Sequence, residues 1–305
     1  MQPLLSIVIA NYNYGRFLEE AIQSVITQNM GDKVELIICD AASIDNSVEI
    51  IKKYAHGLPP NTLRSEWVEP NSQLPTPNSQ LITWWCSEPD GGQSAAFNKG
   101  FSQAKGRFLT WLNADDVLLP GTLKKLELAI QKYPDCEWFV GGAMWLDKNM
   151  RIIKCGRGRP FSKQRAETGV VSVWGPSSFF TRKLYESVGG IDERFVYTMD
   201  SDLWLKFVYI SKSTYIPFDD YTWGLRLHEC AKMSAHNFAE SGQSNPSHPK
   251  WKQLSRERTW RSETFTPRYR LTFVRKLLSI SLINSLMGRI DTIICKGKYY
   301  KEYFV

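Results

Sequence analysis

The chain has 305 residues, of which 43% are hydrophobic and 23% are charged. This composition is typical of a globular protein, and it excludes a mainly disordered, collagen-like or disulfide-stapled chain. The net charge of +7 is unevenly distributed, because residues 250–305 carry 13 basic and 4 acidic side chains, whereas the remaining 249 residues carry 25 and 27. The basic C-terminal region indicates either an anionic partner (phospholipid or nucleic acid) or a solvated helix face.

The cysteines and the first residues bear on the location of the protein. Six cysteines occur singly, with no CxxC pair, at positions 39, 86, 136, 155, 230 and 295, which predicts reduced core thiols in a cytoplasmic protein. The first residues, Met1-Gln2-Pro3-Leu4, lack the charged segment and apolar stretch of a signal peptide. The apolar stretch 277–288 is shorter than the roughly 20 residues that a membrane-spanning helix needs.

The first half of the chain alternates between strand and helix patterns. Apolar runs predict strands at 4–10, 34–40, 81–86, 107–112 and 138–143. Helices are predicted from Phe17, after a cap at Ser43, at 93–104, and from Pro120 to Tyr133. This order predicts an α/β fold with a mostly parallel sheet flanked by helices. Residues 57–80 contain five prolines and predict a long surface loop with a short strand near Trp67.

The second half is less regular. We expect a strand at 151–155, helices at 182–188 and 200–209, and a polar loop at 237–250. From Phe273 to Ile294, apolar residues recur every three or four positions and are flanked by basic residues such as Arg289. This periodicity predicts an amphipathic basic helix, which either lies on a membrane surface or packs on the domain.

Polar residues follow three of the predicted strands, at Asn11, at Asp40 and at 113–116. In open parallel sheets, ligands bind outside the carboxyl ends of the strands. Asp115 and Asp116 repel each other unless a cation lies near, and Mg²⁺ or Mn²⁺ suits such oxygen ligands. The alternative is that they stabilise the N-terminus of the helix that follows. The sequence has no GxGxxG, GxxxxGK[ST] or HExxH motif, and residues 90–93 predict a tight turn into a helix.

Six short segments occur in an order that is typical of one enzyme family. They are SIVIANYN (6–13), ELIICDAASID (35–45), DGGQSAAFNKG (90–100), WLNADD (111–116), GGIDERFVYTMDSDLW (189–204) and RLHECAKMS (226–234). Together they resemble family 2 glycosyltransferases, which have the GT-A fold, use nucleotide-diphosphate sugars and invert the anomeric centre. The resemblance covers residues 4–235. It implies a GT-A domain at 1–235, with a nucleotide-sugar-binding half (1–116) and an acceptor-binding half (117–235), before a basic helical tail at 236–305.

The resemblance also implies a role for particular residues. It implies nucleotide-sugar binding by Ala10, Asn11, Tyr12, Asp40, Asp90, Asn98, Asn113 and Asp115, with Asp40 on the base. It implies a Mn²⁺ or Mg²⁺ site at Asp116, Asp115 and His228. Asp200 is the implied general base, with Asp202 as the alternative. The cation would stabilise the leaving nucleoside diphosphate, and the base would help an acceptor hydroxyl to attack the sugar.

The sequence departs from the family pattern at a few positions. Asn113 replaces a common Asp, Ala41-Ala42 replaces a glycine-containing pair, and Met199 replaces a Glu. Because the Gln-x-x-Arg-Trp pattern of processive members is absent, we expect one sugar to be transferred to each acceptor.

We therefore expect a hexosyltransferase-type enzyme that uses a UDP-sugar and a glycan or lipid-linked acceptor in bacterial surface-polysaccharide assembly. Its tail would contact the inner face of an anionic membrane and no nucleic acid. The alternative is a non-catalytic nucleotide-sugar or glycan-binding protein on the same fold. A sugar-nucleotide pyrophosphorylase is disfavoured, because residues 11–15 lack the Gly-, Arg- and Lys-containing loop of that class.

Overall fold

The computed structural model describes residues 2–55, 82–166, 171–232 and 280–301, together with 253, 254, 256, 257, 259 and 260. Three predictions lie outside the described residues. They are the loop at 57–80 with its strand near Trp67, the polar loop at 237–250, and the beginning of the tail helix at Phe273.

The first half forms the parallel part of the sheet, as predicted. Its strands are β1 (Leu5–Asn11), β2 (Val34–Asp40), β3 (Ile82–Ser87) and β4 (Phe108–Asn113), in the spatial order β3-β2-β1-β4. The helices between them are α1 (Gly15–Ile26), α2 (Ser47–Ala55) and α3 (Gln93–Gln103). The prediction that Ser43 caps α2 is wrong. Its hydroxyl donates to Asp40 instead, while the Asp45 carboxylate accepts the Ser47 amide at the helix start.

The second half continues the same sheet with mixed strand directions. It contains β5 (Val117–Leu118), α4 (Thr122–Lys132), β6 (Trp138–Leu146), β7 (Ile152–Gly156), α5 (Lys163–Ala166), β8 (Ser178–Thr181), α6 (Arg182–Ser187), α7 (Met199–Tyr209) and β9 (Ile216–Arg226). Within the described residues, β4 continues into β8-β6-β9-β5, with β7 also paired to β6. The structure thus has the mixed, mostly parallel α/β architecture that the sequence predicts. Helix α4 begins at Thr122, two residues after the predicted start at Pro120.

Both faces of the sheet are covered by apolar side chains. Helices α1, α2 and α4 pack on one face, and α3, α6 and α7 pack on the other. On the second face, the ring of Trp204 stacks between those of Trp111 (5.5 Å between centroids) and Trp138 (5.4 Å). Much of the aromatic content is therefore core, and large aromatic rings contribute strongly to core stability.

A C-terminal helix, α8 (Ile280–Cys295), packs on β7. The buried Asp291 carboxylate accepts hydrogen bonds from Arg157 Nε (2.8 Å) and from the Tyr221 hydroxyl, and the Thr292 hydroxyl accepts the Cys155 amide (2.8 Å). One face of the predicted tail helix therefore packs on the domain. Ile290, Ile293 and Ile294 are exposed on α8.

All six cysteines are free thiols, and four of them are buried. Cys230 is exposed, so the prediction of a core position is wrong for that residue. In the part of the chain that the structure describes, no helix combines the length and apolarity needed to cross a membrane.

Candidate active site

A cavity of about 640 Å³ opens at the ends of β1 and β4. Its other walls include the N-terminus of α3, the Gly175-Pro176 turn, and four residues around the start of α7, namely Val196, Tyr197, Met199 and Asp200. The cavity therefore lies beyond the carboxyl ends of parallel strands, where open α/β sheets bind ligands.

Most of the predicted site residues meet at this cavity. Those that line it are Ala10, Asn11, Tyr12, Asp90, Asn113, Asp115, Asp116 and Asp200. Asp40, Asn98, Asp202 and His228 do not line it, and their contacts show what each of them does instead.

Asp115 and His228 form a pair at the cavity wall. The Oδ2 atom of Asp115 lies 3.1 Å from Nε2 of His228. The imidazole ring packs against Phe17, with 4.5 Å between the ring centroids, and forms a T-shaped contact with Tyr14 at 5.7 Å. Within the described residues, the buried Nδ1 atom of His228 has no hydrogen-bond partner. His228 is thus fixed behind Asp115, with one ring nitrogen directed to the carboxylate.

Asp116 has a different environment from its neighbour, because it is fully buried. Its Oδ2 accepts hydrogen bonds from Asn113 Nδ2 (2.7 Å) and Trp223 Nε1 (3.0 Å), and its Oδ1 accepts the Arg226 amide (3.0 Å). Burial, and secondarily the charge of Asp115, raise the pKa of Asp116 well above its usual range. The three N–H donors favour the ionised form and oppose this shift.

These contacts decide how well the predicted metal ligands fit a divalent cation. Among the described residues, no three or more His, Cys, Asp or Glu side chains converge as a ready-made metal site. Mg²⁺ is commonly held by one or two protein carboxylates together with substrate phosphates. Asp115, beside His228, fits such a shared site better than Asp116, whose oxygens already accept three N–H groups. The role of Asp116 as a ligand stays a prediction.

Asp40 lies at the end of β2, behind the cavity wall. Its Oδ1 accepts hydrogen bonds from Asn11 Nδ2 (2.6 Å) and the Ser43 hydroxyl (2.5 Å). Its Oδ2 accepts the Ser43 amide (3.0 Å) and the Ser87 hydroxyl (2.6 Å). Asp40 therefore fixes the orientation of Asn11, which does line the cavity, and a direct bond from Asp40 to a nucleotide base stays a prediction.

Asn98 is not brought to the cavity. Its Nδ2 donates to Ile191 O and to Glu193 Oε1, both at 2.9 Å, and its Oδ1 accepts the Tyr185 hydroxyl and the Ile191 amide. Because these bonds occupy both ends of the amide, Asn98 joins α3 to the segment after α6. The structure therefore offers no support for its predicted place beside the donor.

The two candidate bases on α7 have different surroundings. Asp200 is half-buried and lines the cavity, where one of its carboxylate oxygens lies beside Gly175. Asp202 is buried and forms an ion pair with Lys206 (3.1 Å) one helical turn later. The geometry therefore favours Asp200 over Asp202 as a group that contacts a ligand.

The loop before Asp200 is held by a residue that the sequence analysis did not identify. Glu257 is fully buried, and its Oε1 accepts the amides of Val196 (2.8 Å) and Tyr197 (3.2 Å). Its Oε2 accepts the amide (3.0 Å) and hydroxyl (2.8 Å) of Thr198. Successive backbone N–H groups form an anion-binding concavity, and here the anion comes from the region predicted as a tail. No local pattern around Glu257 indicated this role.

Two more unpredicted residues, Gln93 and Lys232, contribute side chains to the cavity wall. Gln93 is the first residue of α3, and its Nε2 donates to Asn113 Oδ1 (2.9 Å). Lys232 follows β9, and its ammonium donates to Gln93 Oε1 (2.8 Å). Both lie inside segments that resemble the family, but no role was predicted for either of them from the sequence.

The family assignment agrees with this fold and site. The family model described as "Glycosyl transferase family 2" matches residues 6–67 and 78–189, which is more than half of the chain. The chain belongs to glycosyl transferase family 2. One relative, an uncharacterized glycosyltransferase of Nostoc sp., is 34% identical over 122 residues, which is 40% of this chain and 31% of the relative.

Solved structures show the same fold as this family 2 glycosyltransferase. Staphylococcus aureus TarS 1–349 in complex with UDP has a TM-score of 0.52 at 16% identity, covering 73% of this chain and 60% of TarS. A mannosyltransferase from Pyrobaculum calidifontis in complex with GDP-Man and Mn²⁺ has the same TM-score and identity, covering 100% and 79%. The chain spans 31% of the Nostoc relative and 60% of an uncharacterized Rickettsia prowazekii glycosyltransferase.

Proposed function

We propose that this family 2 enzyme transfers a single sugar, with inversion, from a nucleoside-diphosphate sugar to a hydroxyl of a glycan or lipid-linked acceptor. One observation carries the proposal: Asp115 and Asp200 line the same cavity at the carboxyl ends of β1 and β4. This arrangement supplies one carboxylate for the donor side and another for the acceptor side of one reaction.

In the proposed reaction, the acceptor oxygen forms a bond to the anomeric carbon while the bond from that carbon to the diphosphate oxygen breaks. The electron pair of the broken bond leaves with the nucleoside diphosphate, and the acceptor proton passes to the Asp200 carboxylate. Attack from the face opposite the leaving group inverts the anomeric centre, so that no covalent intermediate with the protein is needed.

The remaining residues hold the donor. Asn11, oriented by Asp40, and Tyr12 form the nucleoside end of the cavity. Asp115, which His228 holds in place from behind, would bind Mn²⁺ or Mg²⁺ together with the diphosphate, and when bound this cation supplies Lewis-acid stabilisation of the leaving group. Buried Asp116 ties together the ends of β4 and β9 and thereby fixes the position of Asp115.

We infer that the donor nucleotide is UDP, which is supported by the fold shared with TarS in complex with UDP. GDP is the alternative, because the mannosyltransferase of the same fold is seen with GDP-Man. A calorimetric titration of each nucleotide, with and without Mn²⁺, distinguishes the two.

We also infer that the enzyme is peripheral at the cytoplasmic face of an anionic membrane, where it serves bacterial surface-polysaccharide assembly. The support is the exposed face of α8, where Ile290, Ile293 and Ile294 lie near the exposed side chains of Arg289 and Lys296. Apolar side chains beside basic ones are typical of helices in membrane interfaces.

Sedimentation with phosphatidylglycerol vesicles tests the membrane contact. The Ile293→Asp variant should no longer sediment with the vesicles, whereas Ile210→Asp, a change at another exposed isoleucine, should still do so. Equal sedimentation of both variants would contradict this inference.

The test of the proposed function combines binding with turnover. In the presence of Mn²⁺, the wild type should bind UDP and release it from at least one UDP-sugar in a panel offered with glycan acceptors. Asp115→Asn should lose the Mn²⁺-dependent part of UDP binding. Asp200→Asn should bind UDP like the wild type and lose turnover, while Asp202→Asn should retain turnover if it folds.

The outcomes separate the proposed enzyme from its alternative. Binding of UDP or GDP that is unaffected by Asp115→Asn would contradict the metal assignment. Loss of turnover in Asp202→Asn but not in Asp200→Asn would contradict the choice of base. Nucleotide-sugar binding without turnover under every condition would favour the non-catalytic binding protein.

A further inference from the structure

The charges around the cavity are strongly unbalanced. Asp90, Asp115, Asp116 and Asp200 are the acidic residues among the described lining residues, and Lys232 is the basic one. A nucleoside diphosphate that enters this cavity is repelled by the carboxylates unless positive charge is placed beside its phosphates. Lys232 is a cation that the chain itself supplies at this wall.

A one-way chain of hydrogen bonds fixes the position of Lys232. Lys232 Nζ donates to Gln93 Oε1 (2.8 Å), Gln93 Nε2 donates to Asn113 Oδ1 (2.9 Å), and Asn113 Nδ2 donates to Asp116 Oδ2 (2.7 Å). An ammonium group only donates, so Gln93 turns its oxygen to Lys232 and its N–H group to Asn113. Asn113 in turn presents its own N–H group to Asp116.

This chain of bonds explains why Asn113 stands where the family often has Asp. An aspartate at this position would have no N–H group to donate to Asp116, and it would bring a second carboxylate to within hydrogen-bond distance of a buried one. The amide instead extends the hydrogen-bond chain towards Lys232.

Two further contacts place the ammonium group. Lys232 Nζ also donates to the carbonyl oxygen of Val196, and it lies 5.3 Å from the centre of the Tyr197 ring. Gln93 is the first residue of α3, and Gly92 before it also lines the cavity. Helix N-termini attract phosphates through their N–H groups and their dipole, so the lysine and the helix end act on the same anion.

We propose that Lys232, held by the hydrogen-bond chain through Gln93 and Asn113, binds the diphosphate of the donor nucleotide and stabilises its charge as it leaves. The inference rests on the proposed function, because it assumes a nucleoside diphosphate in this cavity. Lysine binds phosphate as a compact point charge, and charge-assisted hydrogen bonds are the strong ones. The contribution is greatest when the departing diphosphate carries the most charge.

The test compares ligands that differ only in their phosphates. UDP is titrated by calorimetry, and uridine by ligand-observed NMR, into the wild type, Lys232→Met, Lys232→Arg and Lys125→Met. We expect Lys232→Met to weaken UDP binding about tenfold to a hundredfold and to leave uridine binding unchanged. Lys232→Arg should keep most of the UDP affinity. Lys125 is paired with Asp220 away from the cavity, so Lys125→Met should bind UDP like the wild type. If the wild type binds GDP instead, the series is repeated with GDP and guanosine.

The possible contrary results distinguish a failure of the Lys232 inference from a failure of the proposed function. Unchanged UDP affinity in Lys232→Met, with the wild type binding UDP, would overturn the inference and leave the proposed function standing. An equal loss of UDP and uridine affinity would also overturn it, because Lys232 would then shape the cavity rather than contact phosphate. A wild type that binds neither UDP nor GDP would refute the proposed function and this inference together. Unfolding midpoints of all variants identify any that fail to fold.

Discussion

Replacement of Glu257 by Gln tests whether the C-terminal region is part of the candidate active site. The substitution keeps the size of the side chain, but it removes the charge and turns one acceptor oxygen into an N–H donor. At least one of the amides of Val196, Tyr197 and Thr198 then loses its acceptor, an oxygen of the fully buried Glu257 side chain. An unsatisfied buried donor costs about 1–3 kcal/mol, and the remaining bonds lose their charge assistance. We therefore expect the free energy of unfolding to fall by about 2–4 kcal/mol.

Two measurements check this expectation. Urea denaturation gives the change in the free energy of unfolding, and hydrogen exchange read by mass spectrometry shows where the structure opens. The peptide that contains residues 196–198 should exchange faster in Glu257→Gln, while peptides from β1 and β2 stay protected. The control is Glu229→Gln, the same change at an exposed glutamate, which should leave both measurements unchanged. Unaltered exchange at 196–198 in Glu257→Gln would refute the reasoning.

Three other predictions concern stability. Asn113→Asp should lower the free energy of unfolding by about 2 kcal/mol or more, because a donor to buried Asp116 becomes a like charge; an unchanged urea midpoint would contradict the hydrogen-bond chain. Asp291→Ala should cost about 1–3 kcal/mol, because Arg157 loses its buried partner, and a thermal midpoint equal to the wild type's would contradict the docking of α8. Burial raises the pKa of Tyr215 from 10.0 to about 12. The contribution of Tyr215 to the free energy of unfolding is therefore complete below pH 10 and declines as the pH rises to 12. Urea titrations at a series of pH values should show that Tyr215→Phe loses less stability than the wild type over that range.

The sequence predicts the parallel half of the fold well, because its buried strands are visible as predominantly apolar runs. Residues 34–40 form β2 with the predicted bounds, and β1 and β4 differ by a residue at each end. The polar residues that follow these strands mark the edge of the sheet where the cavity lies. These features depend on residues close together in the chain, so the local pattern suffices to predict them.

The sequence also predicts β6 and β7, at 138–143 and 151–155, but β8 and β9 could not be predicted in the same way. Strand β9 (Ile216–Arg226) contains Pro217, two aspartates and Gly224, all of which are disfavoured in strands. It forms because β6 and β5 pair with it. Strand β8 has only four residues and joins β4 to β6. In both cases, pairing with the neighbouring strands compensates for a weak local preference for strand conformation.

The tertiary structure also decided what several site residues contact. Asp40 and Asn98 occupy positions that the family pattern marks, but their hydrogen bonds are made by Ser87, Tyr185 and other side chains that only folding brings near. A motif identifies a position in the chain, whereas hydrogen-bond partners depend on residues that are distant in the sequence.

The sequence by itself determined the family, the parallel core and the carboxylates at the strand ends, since each depends on short segments. Only the tertiary structure decided that Asp200 rather than Asp202 lines the cavity, that Lys232 reaches Gln93 across 139 positions, and that Glu257 holds the loop before α7. Such contacts arise from packing between distant segments, and no periodicity within either segment encodes them.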